Sequence, residues 1–190
     1  MKRRNAVLAI LLLVVAVAYF AFHQTGYAFT EKEALRSAGV YNGLTKAYEQ
    51  PFGSDVIVMM SNGSQSRVQI VHNKFGFLHK PGTSVEMAAL DGQSSVRYAW
   101  FSTGASGKDG KREIVFAAES SDAAIRKVII SNDRLNAPKD SAEVKKNASV
   151  YVELDVAKQY GIVVEELEAQ EIGSFVVRGA DADGRIVTGT

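Results

Sequence analysis

The chain contains no cysteine. That single absence excludes a disulfide scaffold, a cysteine nucleophile, a thiolate metal site and a lipid attached to an N-terminal cysteine. Histidine is scarce too, with three residues in 190. No serine sits in a G-x-S-x-G nucleophile elbow, and no glycine-rich stretch carries the Lys-Ser/Thr of a phosphate loop. Linkers and low-complexity tracts are missing as well. No basic stripe with interleaved aromatics occurs, so nucleic-acid binding is not expected.

Charge is missing over one long stretch. Lys2, Arg3 and Arg4 precede an unbroken apolar run over 6–22, and the next charged side chain is Glu31. Seventeen residues of helix rise ~26 Å, near the short end for a ~30 Å hydrocarbon core. The run is apolar on every face, which does not suit a helix buried along one stripe. The expectation is an uncleaved transmembrane helix over 6–22 that engages the lipid bilayer. The competing reading is a signal peptide cut after Ala18. Against cleavage, the run continues into Tyr19, Phe20, Ala21 and Phe22, and Tyr27 and Phe29 follow like an interfacial belt. The basic residues place 1–5 in the cytoplasm as a short tail and the remainder outside. A juxtamembrane segment over 23–29 then leads into one domain over 30–190, at the cell surface. Setting aside Lys2, Arg3 and Arg4 from 22 basic residues leaves 19 against 21 acidic ones, so the outer part is nearly neutral.

Lacking disulfides, that domain must be held by its own core, and 160 residues suffice for one. Thr30-Glu31-Lys32-Glu33 reads as a capping box, with Gly39 as the helix stop. Strand signals follow: 44–48 weakly, 55–60 strongly, then 67–72 after an Asn62-Gly63 turn. Residues 75–78, 96–102, 113–118, 125–131 and 150–154 continue the series. Gly104 to Gly110 is a hairpin tip, 133–147 a loop with a helical turn, and 156–171 a short helix carrying Glu165, Glu166, Glu168 and Glu171 on a solvated face. Residues 174–178 and 185–187 flank a closing turn. Short connections imply an α+β fold: an N-terminal transmembrane helix, then a β-rich, mostly antiparallel domain.

Catalytic chemistry finds little support. His72 and His79 lie seven apart with no convincing third ligand, so no metal site is expected; His72 should pack or sit at the domain rim, and His79 should lie in a turn at Lys80-Pro81-Gly82. Asp181, Asp183 and Gly184 resemble the start of a calcium loop, but the EF-hand pattern needs further ligands and a Glu at its twelfth position, and the sequence stops at Thr190. A turn explains them better. Glu165 and Glu168 share a helical face by spacing, yet nothing places them across a scissile bond. Asn62 and Asn147 match the glycosylation sequon, and Asn62-Gly63 is better explained as a turn. No catalytic residue and no cofactor is assigned. Tyr98, Trp100 and Ser102 alternate with Ala99 and Phe101 along one strand, so both faces carry aromatics. One face is expected to be available to a partner, with Tyr98, Trp100 and Ser102 as the candidate surface.

Two resemblances bear on the class. VQIVHNKFGFLHK from Val68, ASVYVELDV from Ala148 and FVVRGADADGRIV from Phe175 resemble single-pass surface proteins of Gram-positive spore-forming bacteria, over nearly the whole chain. Residues 30–80 resemble the PepSY module in a TEKEAL helix, a β-meander and an SNG turn. That resemblance implies peptidase inhibition or protein binding at the cell surface, and no functional residue is carried over. The expected function is a membrane-anchored interaction or accessory module acting on another envelope protein or the cell wall. A surface hydrolase without a recognisable motif and a sensor ectodomain are the alternatives; a tail of only Met1–Asn5 argues against the sensor.

Overall fold

The computed structural model describes residues 2–37, 43–90, 93–106 and 108–189. The expected helix stop at Gly39 lies outside them. Helix α1, Lys2–Gln24, is followed by α2, Glu31–Ser37. The Thr30 hydroxyl oxygen accepts from the Glu33 amide at 3.2 Å, as the capping box requires. Along α1 the large apolar side chains from Val7 to Val17, with Tyr19 and Phe20, are 58–70% exposed. Side chains at 2–4, 18 and 21–23 lie outside the description. Among the described residues, no helix is long and apolar enough to cross a membrane.

The protein is α+β, β-rich and antiparallel. Strands β1 (Thr45–Phe52), β2 (Asp55–Ser61), β3 (Ser66–Lys74) and β4 (Leu78–Glu86) form a meander in sequence order. The β2–β3 turn follows from Asn62-Gly63: Gly63 sits at φ +85°, and the Asn62 side-chain oxygen accepts from the amides of Ser64 and Gln65. A middle sheet has the order β10-β7-β6-β5, from β5 (Ala88–Leu90), β6 (Gln93–Ser106), β7 (Arg112–Ser120) and β10 (Tyr160–Leu167). A third has the order β12-β11-β8-β9, from β8 (Lys127–Ser131), β9 (Tyr151–Asp155), β11 (Val176–Ala180) and β12 (Ile186–Thr188). Helix α3, Ser141–Asn147, starts on an Asp140 cap that accepts from the Glu143 amide at 2.9 Å.

Side-chain alternation stacks these elements into layers. Ile57, Met59, Val68 and Ile70 of the first sheet meet Ala99, Phe101, Val115 and Ala117 of the middle one. On its other face, Val96, Ile114, Phe116 and Ala118 meet Val128, Ile130, Leu154 and Val177. The outer face of the first sheet is covered by Ala34 and Leu35 of α2, and that of the third by Val144 of α3. The order is helix, sheet, sheet, sheet, helix. Strand β7 is therefore apolar and buried without a break from Ile114 to Ala118. Each large side chain so buried contributes about 1.5–3 kcal/mol relative to exposure.

Several expectations need correction. Residues 156–171 contain β10 and not a helix, because Ile162, Val163 and Val164 pair with Ala117, Phe116 and Val115; propensity and tertiary pairing both favour a strand there. Residues 75–77 are the β3–β4 turn and not a strand. Lys80-Pro81-Gly82 lies inside β4, an edge strand where a proline without N–H is tolerated.

Candidate functional site

Strands β9 and β10 follow each other closely in sequence yet join different sheets. Asp155 starts the turn by accepting from the Ala157 amide at 2.8 Å, and Gln159 adopts φ +78° and donates its amide to the Val156 carbonyl at 2.8 Å. Beyond it the strands diverge. Gly161 permits this: a Cβ there would lie 2.7 Å from the Asp155 carbonyl oxygen and 3.2 Å from the Leu154 Cβ. The divergence opens a groove of about 510 Å³, lined by Tyr48, 153–155, Ala157, Lys158 and 160–163.

Three sheet edges converge on this flank. β1, β10 and β9 are the terminal strands of the three sheets. Tyr48 of β1 stacks on Tyr160 of β10 with ring centroids 6.2 Å apart and planes 18° apart. The opposite flank ends in β4, β5 and β12. There β5 and β12 have three residues each, while β4 carries Pro81 and a register shift. Those are the usual ways of blunting an edge. β10 shows none of them: it runs eight residues without proline, in unbroken register with β7. Its outer edge thus offers a row of backbone donors and acceptors.

The groove is charged and mostly acidic. Glu153 takes 2.8 Å and 2.6 Å bonds from Lys127 and Tyr151. Burial pushes the Glu153 carboxyl up, but those two bonds, with the charges of Lys127 and Lys145, outweigh it and hold it below the usual range. The Glu153 bond raises Lys127 in turn, and burial together with Glu153 drives the Tyr151 phenol far above its ordinary value. Burial, then the Glu119 charge, raises Tyr160. The Tyr151 and Tyr160 phenols are therefore neutral donors at physiological pH. Asp155 and Lys158 are exposed, and Glu165 and Glu166 extend the acidic character along β10.

The sequence-based candidates lie elsewhere. Tyr98 and Trp100 are half-buried and pack into the core between the middle and third sheets, where Trp100 meets Phe175 edge-on at 5.1 Å. Ser102 is half-buried, and its hydroxyl accepts from the Gly104 amide at 3.2 Å. The aromatics on both faces of β6 reflect a strand covered twice. The His72 side chain is 46% exposed at the rim of the first sheet, 2.7 Å from Asp55. His79 is half-buried in β4, 2.6 Å from the Asn73 side-chain oxygen. Among the described residues, no group of three or more His, Asp or Glu is placed to hold a metal. Asp181 anchors a turn, accepting from the amides of Asp183 and Arg185. The groove residues Tyr48, Asp155, Lys158 and Tyr160 were not anticipated. The signal was the β-branched run after Tyr160.

Two buried polar clusters serve the fold. Arg97 and Glu119 of the middle sheet pair at 3.4 Å and hold the β2–β3 turn: Arg97 donates to the Gly63 carbonyl at 2.8 Å, and Glu119 accepts from Ser61 and Ser66. Among the described residues, Ser66 bonds to Ser61, Arg97 and Glu119. Arg178 and Asp133 form a wholly buried pair at 2.6 Å. No protein-family model matches the chain, and no curated protein and no solved structure is similar to it.

Proposed function

We propose that this chain is a membrane-anchored, extracytoplasmic interaction module that receives an extended, basic protein segment along the outer edge of β10. The observation that carries the binding reading is the convergence of three sheet edges on one flank, with the longest unblunted edge open over a groove. Strand addition suits such an edge: main-chain hydrogen bonds give affinity and the groove selects alternate side chains. With Glu153 paired to Lys127, Asp155, Glu165 and Glu166 against Lys158 favour a cationic segment. The anchoring reading draws on Lys2-Arg3-Arg4, on the apolar run over 6–22, and on the large apolar side chains of α1 from Val7 to Val17, which are mostly exposed. The order of α2 followed by the β1–β4 meander is the layout on which the PepSY resemblance rests, and that resemblance agrees with protein binding.

The test uses single cysteines in a chain that has none. Lys158→Cys in the groove and Ala182→Cys in the β11–β12 turn, each carrying a photo-crosslinker that cannot cross membranes, are attached on intact cells. Labelling of both, with a crosslinked partner from 158 alone through a basic stretch, is the expected result. Failure to label either position would end the extracytoplasmic reading. Equal capture from both would end the groove reading.

A further inference from the structure

The β3–β4 turn carries exposed aromatics where a soluble turn would carry polar residues. Phe75 and Phe77 are 76% and 56% exposed, with rings 6.5 Å apart. Phe75 sits at φ +55°, beside Gly76 at +75°. That left-handed region suits glycine or asparagine, and a phenylalanine held there is a strained choice that points to use. Cations accompany the rings: the Lys74 ammonium lies 5.6 Å from the Phe75 ring, and the Lys80 ammonium 5.5 Å from the Tyr27 ring. From His72 to Lys80 there is no acidic residue.

This tip is tied to the segment that leaves α1. The Ala28 amide donates to the His79 carbonyl at 2.7 Å, and the His79 amide donates to the Ala28 carbonyl at 2.8 Å. Ala28 lies four residues beyond Gln24, the last residue of α1. The neighbouring Phe29 is 57% exposed. Three exposed phenylalanines and two lysines therefore gather at the end of the domain from which the apolar helix emerges. Asp55 on His72 and Glu33 beside Phe29 are carboxylates behind the tip, and the turn itself carries rings and ammonium groups. These fit the headgroup layer of an anionic bilayer, where aromatics settle and lysines meet phosphates.

We propose that the β3–β4 tip, Phe75 and Phe77 with Lys74 and Lys80, docks into the lipid interface and fixes the orientation of the domain on the membrane. This rests on the anchoring reading but is separable from it. The experiment places the full chain in vesicles of phosphatidylcholine and phosphatidylglycerol doped with brominated lipid. In a Trp100→Phe background, one tryptophan is introduced as Leu12→Trp, Phe75→Trp, Phe77→Trp or Ala182→Trp. Quenching at 12, 75 and 77 should each exceed that at 182 by roughly threefold or more, as for groups seated at or below the headgroups. Lys74→Glu with Lys80→Glu should lower quenching at 75 about twofold, through lost attraction to anionic lipid. Quenching at 12 with 75 and 77 no different from 182 would overturn the docking while leaving the anchor. Quenching at 75 and 77 without 12 would uphold the docking and overturn the anchor. If Trp100→Phe does not fold, the same positions labelled through single cysteines in the native background give the same comparison.

Discussion

Loss of Asp133 should be more damaging than loss of Arg178, and only the arginine variant should recover in acid. Both side chains are fully buried. Asp133 accepts four bonds: from Arg178 at 2.6 and 3.2 Å, from the Leu135 amide at 2.8 Å and from the Ser131 hydroxyl at 2.6 Å. Asp133→Ala leaves a buried guanidinium that donates only to the Leu135 carbonyl at 3.0 Å, with its Nε already unpartnered. Stranding a buried charge costs about 3–5 kcal/mol, much of the total stability of about 5–15 kcal/mol for such a domain. Arg178→Met leaves a carboxylate that still accepts from Leu135 and Ser131 and can neutralise itself by binding a proton. Its cost should be about 2–3 kcal/mol at neutral pH. In the native protein, burial raises the Asp133 carboxyl, but Arg178, Ser131 and the Leu135 amide together hold it below 3.8. A depressed carboxylate contributes stability above its unfolded value and loses it as pH falls through the folded one. In Arg178→Met the carboxyl is instead raised by burial, so the variant closes its gap to the native chain between neutrality and about pH 5. The Asp133→Ala gap should hold across that window, because arginine does not titrate there. Urea unfolding of the full chain in detergent micelles, followed by Trp100 emission, reads both. A larger loss for Arg178→Met, or a gap independent of pH, would refute the reasoning.

Gly161→Ala should lower stability by about 1–3 kcal/mol, since its Cβ would meet the Asp155 carbonyl oxygen at 2.7 Å; an unfolding midpoint equal to the native one would show that the strands are not held that closely. His72→Ala should cost under about 1 kcal/mol, as exposed pairs do. His79→Ala should cost more, because its ring is half-buried against Asn73 beside the bridge to Ala28; the reverse order in urea unfolding would contradict this placement. A fragment over 30–190 should give β-dominated circular dichroism and one cooperative melt insensitive to reductant, and a helical spectrum would contradict it.

Strands β2 and β3 and the turn between them were legible because their determinants are local. Asn62-Gly63 names its own turn, and Arg67 to His72 alternates with period 2 as a strand does, although β3 proves buried on both faces. What covers each face was not legible. Tyr98 and Trp100 on one side of β6 and Ala99 and Phe101 on the other fit an exposed partner surface or a doubly covered strand equally well. Only the stacking of three sheets decides for the latter. Residues 156–171 misled because four glutamates after an apolar stretch imitate a helix face, whereas pairing with β7 determines the outcome. The groove could not be read for the same reason: it exists between strands of separate sheets. The exposed Phe75 and Phe77 were read as a strand, since β propensity does not register a residue held at positive φ.

The most direct measurement of the binding reading is amide hydrogen exchange in the full chain, held in lipid nanodiscs, with and without a basic peptide selected against it from a displayed random library. Strand addition requires slowed exchange at alternate amides within 160–167, with β4 and β12 unchanged on the far flank. Protection confined to β4 or β12, or spread over the loops with β10 exchanging as before, would contradict it.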